Sequence, residues 1–202
     1  IIEVIIEQLA PKQALMERIE AIRKPGSFVT SNTSGIPINE IANGRSDDFK
    51  AHFLGTHFFN PPRYLKLLEL IPTPDTDPAA LEFFKTFGAD VLGKGVVVCK
   101  DSPNFIGNRF FAVAATYGIE KALTDGYSVA EVDAITGPLI GRPKTATFRL
   151  MDLVGLDIMG HVNSNLYAAI AHDPYRDILV AENSYKMMQT MLANGWLGNK
   201  VK

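Results

Sequence analysis

Apolar runs with the length of β-strands alternate with helical patterns in the first half of the sequence, and no convincing strand follows in the second half. The strand-like runs lie at residues 1–7, 28–31, 53–59, 64–71 and 95–100, and helical spacing of apolar residues covers 8–24, 37–42 and 77–93. This alternation predicts an α/β fold with a largely parallel sheet. The run at 1–7 is apolar and β-branched, which predicts a buried parallel strand.

Only helices are predicted from residue 101 onward. Apolar spacing indicates helices at 102–126, 128–139, 148–171 and 177–194. Ser128 followed three residues later by Glu131 is a capping box, which marks the start of the second of them. We therefore expect an α/β domain over residues 1–100 and an all-α domain over residues 101–202.

The composition excludes several classes of protein. Hydrophobic residues make up 47% of the 202 residues, which is enough for a packed core and excludes a disordered chain. A net charge of -2 provides no electrostatic surface for nucleic acid. One cysteine, Cys99, allows neither an internal disulfide nor a cysteine cluster for zinc. Without a membrane-length apolar run or a signal peptide, the sequence predicts a cytoplasmic protein that binds neither membrane nor nucleic acid.

Two segments with hydrogen-bonding side chains lie at the ends of predicted strands, SNTS at 31–34 and HFFN at 57–60. The carboxyl ends of strands in an open α/β sheet face the ligand crevice. Glu69 lies within the apolar run LLELI, where a carboxylate is costly to bury alone, so His57 on the neighbouring strand is its expected partner. Two interpretations stay open: His57 is a hydrogen-bonded core residue, or it is a general base that Glu69 orients and makes more basic.

Two asparagines in the segment DSPNFIGNR are four residues apart, which predicts that Asn104 and Asn108 share one face of the next helix. Asn104 fits a residue that caps or lines the helix start. Asn108 lies a full turn further on, among apolar residues. A buried amide at that position needs a hydrogen-bond partner from the protein or from a ligand.

Four segments together resemble the 3-hydroxyacyl-CoA dehydrogenases: SNTSGIPINEIA, GTHFFNPP followed by KLLELI, CKDSPNFIGNR and LMDLVGLD. They occur in order through most of the chain, and HFFNP followed by Glu69 is specific to that family. The stretch GPLIGRPKTATFRLMDLVGLD is most similar to bacterial multifunctional fatty-acid oxidation proteins, in which this unit is fused to an enoyl-CoA hydratase domain. The family often has Gly-Pro-Phe where this chain has TATF, so the resemblance does not predict how the helix at 148–171 begins.

The resemblance implies NAD-dependent oxidation of (S)-3-hydroxyacyl-CoA to 3-ketoacyl-CoA in fatty-acid β-oxidation. His57 would be the base and Glu69 its orienting carboxylate, while Ser34 and Asn108 would hold the substrate oxygen. The residues that would border the ribose and nicotinamide of NAD are Glu7, Lys12, Asn32, Ser34 and Asn60. Taken alone, Lys12 also fits a solvated helix charge, and Glu7 a carboxylate favoured by the helix dipole.

The resemblance also implies an incomplete Rossmann-like domain over residues 1–100, followed by a helical substrate-binding and dimerisation domain. The expected G-x-G-x-x-G turn is missing, since Gly93 and Gly95 share only its first spacing. We therefore interpret the chain as a fragment that is inactive alone and binds NAD weakly. Two other functions stay open: a non-catalytic helical assembly module, and a dehydrogenase for a hydroxy acid without CoA.

Apolar residues are frequent on the predicted helices of the second half. They include Phe110, Phe111, Leu150, Met151, Leu153 and Met159. A short helical domain has too little surface of its own to cover them all, so we predict a homodimer through this half.

Overall fold

The computed structural model describes residues 1–201, which form two compact units, Ile1–Asn108 and the part from Arg109 onward. The first unit contains a five-stranded sheet in the order β1-β2-β3-β4-β5. Its strands are β1 (Ile2–Glu3), β2 (Val29–Ser31), β3 (Phe53–Phe58), β4 (Leu67–Pro72) and β5 (Gly95–Val98). Its helices are α1 (Leu9–Ile22), α2 (Ile38–Ile41), α3 (Asp47–Ala51) and α4 (Pro78–Thr86), which a π-helical turn at Phe87–Val91 continues. The predicted α/β class is confirmed.

The sheet is parallel except at one pair of strands. β1 with β2, β2 with β3 and β4 with β5 run parallel, whereas β4 runs antiparallel to β3. The connection between β3 and β4 is short and contains no helix, so the chain returns beside β3 in the opposite direction. This antiparallel pair is the one that carries His57 and Glu69.

The prediction of a buried strand at residues 1–7 is wrong in length and in burial. Only Ile2–Glu3 pairs with β2, and β1 forms an edge of the sheet. Val4 and Ile6 are 71% and 60% exposed. After β1 the backbone N–H of Ile5 donates to the Glu3 carboxylate at 2.6 Å rather than to a strand ladder, which ends the extended run.

Neighbouring residues of the central strand β3 enter two different cores, because strand side chains alternate between the faces of a sheet. Phe53 packs with Met16 of α1 and Phe49 of α3 in one core. Leu54 packs in the other core, with Leu81 of α4 beside it. Both faces of the sheet are therefore covered, and the central strands are held in a fixed register.

The second unit is helical throughout the described residues, as predicted. Its helices are α5 (Gly107–Asp125), which starts just before the division between the units, α6 (Val129–Thr136), α7 (Phe148–Val154), α8 (Leu156–Ala169) and α9 (Glu182–Ala193). The capping box of α6 is present: Ser128 Oγ accepts from the Glu131 N–H at 3.3 Å, and the Glu131 carboxylate accepts from the Ser128 N–H at 2.8 Å. Among residues 1–201, no helix has the length and apolar character needed to cross a membrane.

The predicted start of the first helix after residue 101 is wrong. α5 begins at Gly107 and not at Ser102, because Asn104 and Phe105 adopt left-handed backbone with φ of +59° and +48°. A right-handed helix cannot include such residues.

Two later predicted helices are shorter than expected. The helix predicted at 148–171 is divided into α7 and α8 at Gly155, whose φ is +100°. The helix predicted at 177–194 opens as a 3-10 turn, Arg176–Val180, and becomes α-helical at Glu182.

The start of α7, where TATF replaces the family's Gly-Pro-Phe, is held by a carboxylate from α6. Asp133 accepts hydrogen bonds from the backbone N–H groups of Thr147, Phe148 and Arg149 at 3.1, 2.8 and 3.1 Å. These are the donors that a helix start leaves without intrahelical partners. The departure from the family pattern therefore leaves the helix start satisfied.

The break between α7 and α8 gives a test of backbone strain. Gly155 has a φ of +100°, which residues with a Cβ rarely adopt, so we expect Gly155→Ala to lower the free energy of unfolding by about 1–3 kcal/mol. Gly118 is the matched control, because it lies inside α5 with open space at its Cβ position; Gly118→Ala should raise that free energy by about 0.5–1 kcal/mol. Chemical denaturation measures both, and a Gly155→Ala variant as stable as the parent would contradict the argument.

Candidate active site

His57 and Glu69 lie directly opposite each other on β3 and β4. The His57 Nδ1 is 2.7 Å from Glu69 Oε2, and the two side chains are 4% and 0% exposed. The contact predicted from the sequence is confirmed. Opposed residues of an antiparallel pair present their side chains on the same face, which brings the imidazole and the carboxylate together.

The contact with Glu69 determines which nitrogen of His57 carries a proton. An ionised carboxylate only accepts hydrogen bonds, so Nδ1 donates and Nε2 of the neutral ring remains an acceptor. Nε2 lies 3.2 Å from Ser34 Oγ. The lone pair of the imidazole is therefore directed toward a hydroxyl group, which is the geometry that a general base requires.

The second oxygen of Glu69 is held by backbone groups at the start of α5. Oε1 accepts from the N–H of Gly107 at 2.7 Å and of Ile106 at 3.1 Å. Burial raises the pKa of Glu69, but the hydrogen bonds that its carboxylate accepts from His57 and from the N–H of Gly107 outweigh burial and hold the pKa below its usual value. Glu69 is therefore ionised at neutral pH although it is buried.

The loop after β2 places Ser34, and Glu7 holds this loop. Glu7 Oε1 accepts from Thr33 Oγ1 at 2.6 Å, from the Ser34 N–H at 2.8 Å and from the Gly35 N–H at 3.1 Å. The Asp101 carboxylate accepts from backbone N–H groups at the start of α2, just beyond the loop. The Ser34 hydroxyl is therefore attached to a segment that is fixed on both sides.

Two phenylalanine rings enclose the His57 imidazole. The ring centroids of Phe59 and Phe105 lie 4.5 and 5.6 Å from that of His57. A Cβ at Gly107 would lie 2.6 Å from the Phe59 ring, so the ring can pack here only against glycine. Apolar walls lower the local dielectric and strengthen the interaction between the imidazole and Glu69.

The residues expected at the nicotinamide end of NAD include Asn32 and Asn60. Asn32 follows β2, and its Oδ1 accepts from the backbone N–H of Phe58 at 2.9 Å. Asn60 is exposed just beyond the end of β3. Asn32 thus joins the carboxyl ends of β2 and β3, while Asn60 presents its side chain to solvent.

Lys12 and Glu7 differ from the alternatives that their sequence context allowed. Lys12 is not a solvated charge, since it is 1% exposed and its Nζ lies 2.8 Å from Glu3 Oε1 and 3.3 Å from Glu7 Oε2. Glu7 does not act at the start of α1, because its carboxylate is engaged by the loop after β2. Burial raises the pKa of Glu7, but hydrogen bonds from Thr33 and Ser34 and the charge of Lys12 lower it below its usual value.

Asn104 and Asn108 do not share a helix face, contrary to the prediction. Asn104 precedes α5, and its Oδ1 lies where a Cβ of Gly35 would approach to 2.7 Å. Asn108 is the second residue of α5 and is half-buried.

Sequence reasoning missed Glu3, which is 2% exposed and hydrogen-bonds to Lys12. The sequence contains a pattern that predicts its burial, because Glu3 interrupts the apolar run IIEVIIE just as Glu69 interrupts LLELI. A carboxylate inside such a run needs a buried partner in both cases.

The arrangement supports proton transfer and excludes thiol chemistry. Burial is the larger cause and the charge of Glu69 the next largest of a raised pKa of about 12 for Cys99. This thiol is therefore not a nucleophile at neutral pH. The imidazole of His57 contacts Glu69 through Nδ1 and the Ser34 hydroxyl through Nε2, which is a geometry compatible with accepting a proton from a hydroxyl group.

Two family models match the chain. The first, described as 3-hydroxyacyl-CoA dehydrogenase, NAD binding domain, matches residues 1–102, and the second, 3-hydroxyacyl-CoA dehydrogenase, C-terminal domain, matches residues 105–202. The chain belongs to the 3-hydroxyacyl-CoA dehydrogenase family. NAD is accordingly the cofactor of the domain in which His57 and Glu69 lie.

Relatives of this dehydrogenase family match almost the whole chain. A probable 3-hydroxyacyl-CoA dehydrogenase of Bacillus subtilis is 54% identical over 200 residues, which are 99% of this chain and 25% of the relative. A putative fatty acid oxidation complex trifunctional enzyme of Rickettsia felis is 35% identical over 201 residues, which are 99% of this chain and 28% of the relative. The chain therefore spans about a quarter of the length of these curated relatives.

A solved structure of the same family has the same fold. The crystal structure of (S)-3-hydroxybutyryl-CoA dehydrogenase from Ralstonia eutropha aligns with a TM-score of 0.80 at 30% identity. The alignment covers 98% of this chain and 66% of that one.

Proposed function

We propose that the chain carries the catalytic base of a dehydrogenase that interconverts (S)-3-hydroxyacyl-CoA and 3-ketoacyl-CoA. The observation that carries the proposal is the His57–Glu69 contact of 2.7 Å, which leaves His57 Nε2 as an acceptor 3.2 Å from Ser34 Oγ. Oxidation of an alcohol needs a base for the hydroxyl proton and an acceptor for hydride, and bound NAD supplies the hydride acceptor.

In this proposal His57 takes the proton of the 3-hydroxyl group at Nε2. The imidazolium that forms is stabilised by the ionised Glu69, which keeps its hydrogen bond to Nδ1. Ser34 and Asn108 hold the substrate oxygen, in the roles that the family resemblance implies. In the reverse direction the imidazolium returns the proton to the keto oxygen.

The side chains that follow β2 and β3 fit the nicotinamide end of NAD. Asn32 Oδ1 is engaged by the Phe58 N–H, so the Asn32 amide retains its NH₂ group as a donor. Ser34 and Asn60 add a hydroxyl and a second amide. Glu7, which pairs with Lys12, holds the loop after β2 that carries Ser34. The 202 residues contain no G-x-G-x-x-G turn for the pyrophosphate.

We therefore expect the 202-residue chain on its own to bind NADH weakly, with a dissociation constant above about 0.1 mM, and to be inactive. Hydrogen bonds worth about 0.5–1.5 kcal/mol each do not offset the immobilisation of a dinucleotide. A titration followed by NADH fluorescence measures this constant. Micromolar binding would show that the pyrophosphate is held without a glycine-rich turn.

The activity is tested in a chimera in which residues 1–202 replace the matching segment of the Bacillus subtilis relative. We expect this chimera to reduce acetoacetyl-CoA with NADH and to turn over free acetoacetate far more slowly. Faster turnover of the free acid would favour the second candidate, a hydroxy-acid dehydrogenase. A folded chimera that is inactive on both would favour a helical assembly module.

We also propose fatty-acid β-oxidation as the pathway, with an enoyl-CoA hydratase domain fused to this unit in the whole protein. The name of the Rickettsia felis relative and the small share of its length that the chain covers support both. The cytoplasm is the proposed compartment, because the only cysteine is buried and unpaired. Mass spectrometry of the intact native subunit tests the fusion.

The second unit is proposed to form a homodimer, besides holding the substrate. Its exposed apolar side chains include Phe110, Leu139 and Leu153, at 74%, 78% and 55%. Met151 and Met159, which also entered the prediction, are buried within their own unit and do not contribute. Sedimentation velocity should show a dimer at micromolar concentration and a monomer for Leu139→Glu. A parent protein that sediments only as a monomer would contradict the proposal.

A further inference from the structure

Glu3 is a buried carboxylate that the proposed reaction does not use. Its side chain is 0% exposed, and both of its oxygens are engaged. Oε1 accepts from the Ile5 N–H at 2.6 Å and from Lys12 Nζ at 2.8 Å, while Oε2 accepts from Ser31 Oγ at 2.5 Å. Glu3 is therefore fully hydrogen-bonded, and its partners show what it holds.

One route leads from Glu3 to the Ser34 loop through Ser31. Ser31 lies opposite Glu3 in the β1–β2 register, and it donates its hydroxyl to Glu3. The Ser31 Oγ in turn accepts from the Thr33 N–H at 3.2 Å. Thr33, the residue directly before Ser34, is thus held by the Ser31 hydroxyl, which Glu3 orients.

A second route leads to the same loop through Lys12. The Lys12 ammonium lies between two carboxylates, 2.8 Å from Glu3 Oε1 and 3.3 Å from Glu7 Oε2. Glu7 then accepts from the backbone N–H groups of Ser34 and Gly35. Lys12 Nζ also donates to the Ile5 carbonyl oxygen at 3.2 Å. Removing the charge of Glu3 would leave Glu7 as the only carboxylate beside Lys12, and Glu7 would be drawn away from the loop.

We propose that Glu3 is a positioning residue, which holds the Ser34 hydroxyl at Nε2 of His57 through these two routes. The proposal rests on the proposed function, because the Ser34–His57 contact matters only if His57 acts as the base. A buried ion pair is a poor way to gain stability, since apolar side chains of the same volume pack at lower cost. It is a good way to fix one arrangement of a polar loop, which a serine beside a general base requires.

The test is NMR of the imidazole nitrogens in the 202-residue chain, which contains four histidines. Ser34→Ala defines the His57 Nε2 resonance without the serine hydrogen bond. We expect Glu3→Gln to move this resonance most of the way to the Ser34→Ala position, and the double variant to add nothing further. The resonances of His52, His161 and His172 should stay where they are.

Two further variants make the NMR result decisive. Ser31→Ala interrupts the first route without removing a charge, and it should move the His57 Nε2 resonance part of the way to the Ser34→Ala position. This variant replaces Glu3→Gln in the test if Glu3→Gln does not fold. Glu20→Gln is the matched control, because the Glu20 carboxylate holds the N–H of Ser46 at 2.8 Å in a different loop. If Glu3→Gln, or Ser31→Ala in its place, leaves the His57 Nε2 resonance at the parental position, the proposal is wrong.

Activity in the chimera separates this proposal from the proposed function. We expect Glu3→Gln to lower kcat by about 10- to 100-fold while KM for acetoacetyl-CoA changes by less than about 3-fold, since a misplaced group affects the reacting geometry. Glu20→Gln should change neither. A displaced His57 resonance without any loss of kcat would uphold the placement of Ser34 and contradict His57 as the base.

Discussion

Replacing His57 with alanine in the chimera with the Bacillus subtilis relative is expected to lower kcat by about 10³- to 10⁴-fold. The Nε2 lone pair of His57 faces the Ser34 hydroxyl, and a base positioned in this way contributes about 10²- to 10⁴-fold to the rate. KM should change little, because His57 is 3% exposed and adds little contact area for substrate. Stopped-flow measurement of NADH oxidation by acetoacetyl-CoA gives both constants.

His52 is the matched control for this experiment. It lies in the same unit, and its Nδ1 contacts the backbone carbonyl of Asp48 rather than a buried carboxylate. His52→Ala should retain activity within about 3-fold, as expected of substitutions away from the reacting atoms. Normal turnover of the His57→Ala chimera would rule out His57 as the base, whatever the geometry around it.

The centre of the site could be predicted from the sequence because it depends on local patterns. A histidine at a strand end and a carboxylate inside the next apolar run lie on strands joined by a short connection. The contact between His57 and Glu69 was expected because a carboxylate is costly to bury alone, whereas the antiparallel register that places them opposite each other comes from the structure. The helical second half and the capping box at Ser128 follow from periodicity and capping rules in the same way.

The rest depends on tertiary contacts that no local pattern encodes. Asn104 adopts a left-handed backbone conformation, which moves it off the face that its spacing with Asn108 predicted. The five-residue helix α3, which opens with a hydrogen bond to Ser46 Oγ, is too short to show apolar periodicity. The links from Glu3 and Glu7 to the Ser34 loop join residues about thirty positions apart, so they emerge only once β1 and β2 are paired.

Glu69→Gln is expected to lower kcat by about 10²- to 10⁴-fold although it changes one atom. The glutamine carbonyl can still accept from the N–H of Gly107, so its NH₂ group faces Nδ1 of His57. An NH₂ group only donates, which forces Nδ1 to become the acceptor and moves the ring proton to Nε2. Nε2 of His57 then carries a proton and cannot accept one from the substrate hydroxyl. A wrong imidazole tautomer lowers kcat by factors of this size.

The same substitution should change stability in a manner that depends on pH. Hydrogen bonds to a buried carboxylate are worth more than those to an amide, so Glu69→Gln should lower the free energy of unfolding by about 2–3 kcal/mol near neutral pH. The folded protein holds the pKa of Glu69 below the ordinary value of 4.5. A depressed carboxyl pKa stabilises the protein above the unfolded pKa, and this contribution is lost as pH falls through the folded pKa. The gap between parent and variant should therefore be full above about pH 5 and close progressively below pH 4.5.

Glu82→Gln separates this effect from the general loss of a negative charge. Glu82 is an exposed residue of α4 that pairs with Lys85, so its replacement should change stability by less than about 0.5 kcal/mol. Urea denaturation of the three proteins from pH 7 downward measures the gap at each pH. A gap between parent and Glu69→Gln that stays constant below pH 4.5 would mean that the Glu69 carboxyl is not held ionised by His57 and α5. The imidazole would then lack the anion that fixes its tautomer, and Nε2 of His57 would not be held as an acceptor.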